Sequence, residues 1–325
     1  METIKELLTQ RAISNSTKKL YIKKLEMLHK SLGVEGEDNY DFLKDTDRTL
    51  EWINQFSSAK RRSLLNSAMV GISPASKTII PEDVAETYQF YRDKMLAEGL
   101  KYSKEKEEQK KTETESKNWA TMIELKRVLK TYAQQLKIKK IGISSPPTKS
   151  KDIETLQKLL VGLLYTTQNP RRLEYGNMTR INEDDYFKLP QDERENNNYI
   201  VKKSTFKMYF SFGDVKVKDP LKRSLKVDIN KTLLNIIRIW YKTTPNATSF
   251  LLTNQGNRQC CNGLSKMLIQ RVFEPTGRDV GASMIRKIYH SEKAKNDRSL
   301  KEKMEIAETM NHSAQTAELH YVKKD

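Results

Sequence analysis

Residues 198–229 read NYIVKKSTFKMYFSFGDVKVKDPLKRSLKVDI, and apolar side chains fall there at alternate positions: Tyr199 and Val201, then Phe206, Met208, Phe210 and Phe212, then Leu225, Val227 and Ile229. Successive side chains of a strand point to opposite faces, so a period of two predicts strands. Gly213 to Asp219 carries the turn chemistry, and the stretch reads as a small antiparallel sheet built of hairpins. Outside it the period lengthens to that of helices. Leu233–Tyr241 follows directly, and 263–273, 282–295 and 300–310 continue in the same way. Upstream, Ile153–Tyr165 is a strongly apolar helix, separated by Pro146-Pro147 from a helix over 119–136 that turns Trp119, Met122, Ile123, Leu125, Val128, Leu129 and Tyr132 inward. The expected fold is mainly α with one small antiparallel β-sheet, an α+β arrangement.

The first hundred residues also read as helices, over about 1–11, 16–32, 46–56, 59–70 and 81–99, with Ser73-Pro74 as punctuation. In the second of these, Leu20, Tyr21, Leu25, Leu28 and Leu32 recur on one face, and Ser14, Asn15 or Ser16 would cap it. Lysines 18, 19, 23, 24 and 30, with Lys60, Arg61 and Arg62, place positive charge on exposed faces, either as a solvated surface or as contacts to a DNA backbone. Residues 101–117 are almost all Lys, Glu, Gln, Ser and Thr, the texture of a linker or an exposed helix between two domains. The division expected is therefore 1–100, a charged linker over 101–117, and 118–325.

Lys and Arg number 59 against 42 Asp and Glu, a formal charge of +17. Self-repulsion of that size costs stability unless a polyanion offsets it, so nucleic acid is the first partner to consider. An anionic membrane would attract the same charge, but no apolar run approaches the roughly 20 residues needed to span one, and no signal peptide is visible. The two cysteines, Cys260 and Cys261, are adjacent and unsuited to pairing with each other, and with four scattered histidines they offer no zinc-ligand spacing. A reducing intracellular compartment and a protein without metal are expected. No phosphate-cradling glycine loop occurs among 12 glycines, so neither ATP nor a dinucleotide is implied as a cofactor.

Breaking a phosphodiester without a metal takes a nucleophile, cations on the non-bridging oxygens and an acid for the leaving oxygen. Arginine suits the clamp because its planar fork donates in pairs and keeps its charge. Arg171 stands in Thr167-Gln168-Asn169-Pro170-Arg171-Arg172-Leu173-Glu174-Tyr175, a turn after an apolar helix; alone, Arg171 and Glu174 also read as a structural ion pair. Arg286 interrupts the apolar helix that contains Met284, Ile285 and Ile288, so it needs a partner or a cleft. His312, in Met310-Asn311-His312-Ser313, precedes Tyr321 by nine residues. Taken singly these are an ordinary helix-cap histidine and one of 14 tyrosines.

In order and spacing, these segments resemble the catalytic domain of the tyrosine recombinase and phage integrase family. That family places an arginine in an Arg-x-x-Glu-Leu turn, a lysine in a β-hairpin, a His-x-x-Arg helix, a Gly-His-Ser turn and a tyrosine nine residues after that histidine. The matching text is Arg171-Arg172-Leu173-Glu174-Tyr175, the hairpin around Lys216, Ser283-Met284-Ile285-Arg286, Asn311-His312-Ser313 and Tyr321. The resemblance covers about 118–325, and the helical first hundred residues are similar to the family's DNA-clamping core-binding domain in general pattern only. It implies Tyr321 as the nucleophile forming a 3′-phosphotyrosyl bond, with Arg171, Arg286 and His312 on the phosphate. Lys216, with Lys218 as its alternative, would be the acid for the leaving 5′-oxygen; the same basic hairpin, on through Lys222, Arg223 and Lys226, also reads as a plain backbone contact. The three-residue step to Glu174 selects Arg171 over Arg172, and Glu174 would orient the clamp.

Two departures accompany the match. Ser283 stands where the family has histidine, so help in deprotonating Tyr321 would be weaker, water-mediated or supplied elsewhere; His290, one turn beyond Arg286, is a candidate that otherwise reads as a surface histidine. Only Val322 to Asp325 follow the tyrosine, little for the exchange of C-terminal segments that links subunits in many relatives. What the resemblance implies overall is a site-specific recombinase of a virus or mobile element, acting in integration or excision. It would bind double-stranded DNA at specific sites as a homotetramer, wherever DNA is accessible: nucleus, cytoplasm, viral factory or virion. A type IB topoisomerase and a catalytically inactive DNA-binding relative are the other readings.

Overall fold

In a computed structural model, residues 4–9, 11–32, 41–73, 80, 82–213, 224–295, 299–310 and 312–324 are described. The chain divides into two compact units, Met1–Glu108 and Gln109–Asp325. It is mainly helical, with one mixed four-stranded sheet. Among the described residues no helix is long and apolar enough to cross a membrane.

The first unit holds α1 (Ile4–Thr9), α2 (Asn15–Ser31), α3 (Thr46–Asn54), α4 (Ser58–Ile72) and α5 (Glu82–Glu107). Ser14 caps α2 through its side chain, and Asp45 caps α3. Leu25, Leu28 and Leu32 of the second helical stripe are buried with Leu64, Leu65 and Tyr91, whereas Leu20 is half exposed. It lies one position off the 21–25–28–32 line, about 100° around the helix. The charged stretch from 101 is divided: its first residues complete α5, and Thr112 opens the next helix with a reciprocal capping box to Glu115.

The second unit begins with that helix, α6 (Glu113–Asn118), then α7 (Met122–Ile138) and α8 (Ser150–Thr166), which pack together. Gly162 allows their close approach, because a Cβ there would lie 2.2 Å from Leu129. Ile123, expected inward, is exposed because the buried line runs through Met122, Leu125, Leu129, Tyr132 and Leu136. After a turn come β1 (Thr179–Asn182), α9 (Glu183–Lys188), α10 (Gln191–Asn196), β2 (Asn198–Ser204), β3 (Lys207–Phe212), β4 (Leu225–Asp228) and α11 (Lys231–Thr243). α12 (Cys261–Met267) runs into a π turn over Leu268–Val272, and α13 (Ala282–Ala294) and α14 (Leu300–Thr309) follow. The chain then forms α15 (Ala314–Thr316), which continues as a π turn over Ala317–Tyr321.

The sheet order is β1-β2-β3-β4. The β2–β3 and β3–β4 pairs are antiparallel, as expected, but β1 pairs parallel to β2, which corrects the wholly antiparallel reading. The connection that makes this possible carries α9 and α10. Helix α9 places Tyr186 against Tyr199, Val201 and Tyr209, while Ile200 and Phe210 face the main core, so β2 is covered on both faces. Phe206, expected inward, is exposed: it stands in the turn between β2 and β3, where Ser204 pairs with Lys207 and the alternation is broken. Arg238 of α11 lies over its ring at 4.4 Å.

Candidate functional site

Helix α8 ends at Thr166, and the loop behind it is tied down from several elements. Tyr165 donates its hydroxyl hydrogen bond to the Arg172 carbonyl, and Tyr289 of α13 donates to the Asn169 side chain. Asn169 in turn donates to Thr309 Oγ1 of α14 at 2.6 Å. Held in this way, Arg171 turns inward to 1% exposure, with its guanidinium 3.8 Å from the Phe212 ring centre. Its Nη1 donates to the Thr309 carbonyl, and its Nη2 lies 3.6 Å from Glu174 Oε1, an ion pair wider than a hydrogen bond.

Helix α13 supplies the second arginine. Ile285 and Ile288 of this helix are in the core, and Arg286, also 1% exposed, is surrounded by acceptors. Its Nη1 donates to the Pro170 carbonyl at 3.2 Å and the Met310 carbonyl at 3.0 Å. Its Nη2 donates to the Tyr321 hydroxyl at 3.1 Å, and the guanidinium lies 4.6 Å from that ring's centre. Both arginines thus meet carbonyls at the end of α14, where the helix dipole favours cations. Burial lowers both guanidinium pKa values, yet arginine keeps its proton.

Tyr321 is placed by the spacing of α13. Positions 286, 290 and 291 are i, i+4 and i+5, one side of the helix. Ser291 donates to the Tyr321 carbonyl at 3.4 Å and accepts the Lys323 N–H at 2.8 Å, fixing the backbone on both sides of the tyrosine. His290 is buried, not the surface histidine anticipated, and its Nε2 is 3.2 Å from Nε2 of His312. The His312 ring stacks on Tyr321 with centres 5.1 Å apart, and the His290 ring is 5.5 Å from the same tyrosine. Burial, then His312 and Arg286, push the His290 pKa down to about 3. Burial, with Arg286, Arg172 and Arg171, holds His312 at about 4 against the opposing hydrogen bond to the Ser313 carbonyl. Both rings are therefore neutral near pH 7.

Charge and unmet donors define what this arrangement can take. The Glu174 carboxylate lies beside Arg171 and acts on Arg286 as well. Among the described residues, Nε of Arg171, Nη2 of Arg171, Nη1 of Arg172 and Nε of Arg286 are buried without a hydrogen-bond partner. Buried donors without acceptors are costly, and an oxyanion would supply both acceptors and charge. Arg172, set aside by the sequence step to Glu174, belongs to this neighbourhood, since it contributes to the field at both Arg286 and His312.

The structure thus brings Arg171, Glu174, Arg286, His312 and Tyr321 together. Ser283 is exposed on α13 and hydrogen-bonds to none of them. Lys216 and Lys218 lie outside the described residues, as does Asn311; β3 and β4 on either side of the lysines form the expected antiparallel pair. Sequence reasoning undervalued His290, although its four-residue step from Arg286 was a usable signal. Among the described residues no group of three His, Cys, Asp or Glu side chains could hold a metal ion.

No family model and no curated protein matches this chain. Among solved structures, the crystal structure of XerA recombinase is similar at a TM-score of 0.40 and 10% identity, over 99% of this chain and 92% of that one. That likeness is too slight to assign the fold.

Proposed function

We propose that this chain is a tyrosine-type DNA strand transferase, a site-specific recombinase that cuts and rejoins DNA through Tyr321. The observation that carries the reading is the hydrogen bond from Arg286 to the Tyr321 hydroxyl at 3.1 Å, beside guanidinium N–H groups that have no protein acceptor. A phosphodiester in the site would meet Arg171 and Arg286 through its non-bridging oxygens. The Tyr321 oxygen would form a bond to phosphorus while the bond to the 5′-oxygen breaks, leaving a 3′-phosphotyrosyl link. The phenolic proton passes to solvent water as the new bond forms, and the 5′-oxygen takes a proton from an acid, the role that the sequence resemblance gives to Lys216 or Lys218. Charge builds on the phosphate oxygens in the transition state, where fixed, desolvated guanidiniums are most effective. The energy of the broken bond is kept in the phosphotyrosine, so rejoining requires no nucleotide.

In this reading residues 1–100 clamp DNA and 118–325 carry the chemistry. Assembly of four copies on paired sites and service to a viral or mobile element rest on the sequence resemblance alone. Incubation with nicked suicide DNA should yield a denaturant-resistant protein–DNA adduct that Tyr321→Phe abolishes. An adduct from Tyr321→Phe would overturn the assignment, and no adduct from the native chain on its own site would leave a DNA-binding relative. Relaxation of plasmid without site dependence would point to a type IB topoisomerase, and exchange between two defined sites to a recombinase.

A further inference from the structure

The contact between His290 and His312 has only one arrangement of protons while both rings are neutral. Nδ1 of His312 lies 3.0 Å from the Ser313 carbonyl. A carbonyl only accepts, so Nδ1 carries the proton and Nε2 of His312 is a lone pair. That lone pair lies 3.2 Å from Nε2 of His290, so His290 must be the donor. We propose that His290 is a positioning residue of this centre: its Nε2–H holds His312 in the Nδ1–H tautomer and in its plane against the Tyr321 ring. The proposal rests on reading the site as a phosphate-transfer centre, because there the placing of the Tyr321 ring, on which His312 stacks, sets the rate of attack; in this arrangement His312 acts on the tyrosine and has no N–H left for the phosphate.

Three further observations support it. His290 is 6% exposed, and a buried imidazole without a polar task would be replaced at a gain by an apolar side chain. The same helix presents Arg286 to the Tyr321 hydroxyl and Ser291 to the Tyr321 backbone, so the contact to His312 completes one continuous face turned to the reactive segment. The His312 backbone N–H is also fixed, donating to the Ala307 carbonyl at 3.1 Å, so the main freedom left to the ring is rotation about its own side-chain bonds. The His290 N–H removes that freedom.

The test compares the full-length chain with His290→Gln, which keeps an N–H donor at similar reach, and His290→Leu, which fills the volume without one. Nitrogen-15 spectra of the histidine rings at neutral pH should place His312 in the Nδ1–H form in the native chain and in His290→Gln, but in a mixture in His290→Leu. On suicide DNA, His290→Leu should lose at least about tenfold in the rate of adduct formation at unchanged DNA affinity, because a His312 ring free to turn no longer holds Tyr321 in its attacking position. His290→Gln should recover most of that loss, which a purely structural role for the imidazole would not allow. His312 as the Nε2–H tautomer in the native chain, or an unaltered tautomer and rate in His290→Leu, would overturn the proposal. If the native chain forms no adduct, the strand-transfer reading falls, while the spectra still decide whether His290 orders His312.

Discussion

Arg171 and Arg286 stand at 1% exposure beside or within long core helices, while Tyr321 is half-buried on a five-residue π turn. The arginines belong to elements fixed by packing: α8 and α13 bury Leu160, Leu164, Ile285 and Ile288 in the core. The segment of the tyrosine, with Ala317 and Val322 buried, is tied down by a set of polar contacts. Lys287 and Lys323 both pair with the buried Glu115, Lys323 donates to the Lys110 carbonyl, and Gln109 donates to the Glu318 carbonyl. The Lys324 N–H donates to the Gln109 carbonyl at 2.9 Å. The contrast leads us to predict a clamp that moves only if the core moves and an arm that opens while the core stays folded. Elements of low local stability are where proteins place parts that must move.

The largest effect is expected from the clamp. Arg286→Ala removes the donors to Pro170, Met310 and Tyr321 together, and the rate of adduct formation should fall by about 10²–10³-fold, the usual loss for one oxyanion donor. Melting should also drop, because three acceptors lose their partner. An Arg286→Ala chain with native adduct rates would break the idea that the buried arginine serves the phosphate.

Next comes the arm. Glu115 is held ionised because its bonds to Lys287, Thr112 and Lys323 outweigh a burial that would otherwise raise its pKa. Glu115→Ala leaves two lysines without their carboxylate, one of them at 1% side-chain exposure, a loss on the order of 3–5 kcal/mol for a buried pair. Hydrogen exchange should rise at 317–324 while α7 and α8 stay protected. Equal loss of protection in all three would show that the arm and the clamp are one cooperative body.

Acid should also separate the two. Free histidine titrates at 6.5, whereas the folded unit holds His290 at about 3 and His312 at about 4. As pH falls below 6.5, the unfolded chain takes up protons that the folded pair refuses, so this stability is complete above that value and is lost progressively toward the folded values. Denaturant titrations of the full chain at about pH 7.5 and about pH 5 should show the decline, and His290→Gln should reduce it. A His290→Gln chain with the native slope would remove this histidine from the account.

The smallest effect is expected at Ser283. The side chain is exposed and makes no hydrogen bond to the described residues. Ser283→Ala should change stability by less than about 0.5 kcal/mol and leave adduct formation unaltered.

Period and spacing made several features legible from the chain alone. The alternation over 198–229 located β2, β3 and β4, the apolar stripes located the helices, and the order of Arg171, Arg286, His312 and Tyr321 picked out residues that the fold brings together. Local geometry repeats along the chain, so residues on one element announce their shared face. What the sequence left open depended on a neighbour distant along the chain. Leu20 and Ile123 are each one position off a buried line, and where a stripe ends is set by the element packed on it. β1 is short, half-buried and paired in parallel, so its partner across the sheet, not its own pattern, makes it a strand. His290 reads from sequence as a surface residue and becomes part of the site only because α14 and the turn to Tyr321 close over α13. A resemblance in order and spacing to a known family pointed to the arginines, the histidine and the tyrosine; tertiary packing alone decided which of their donors went unpaired and which second histidine joined them.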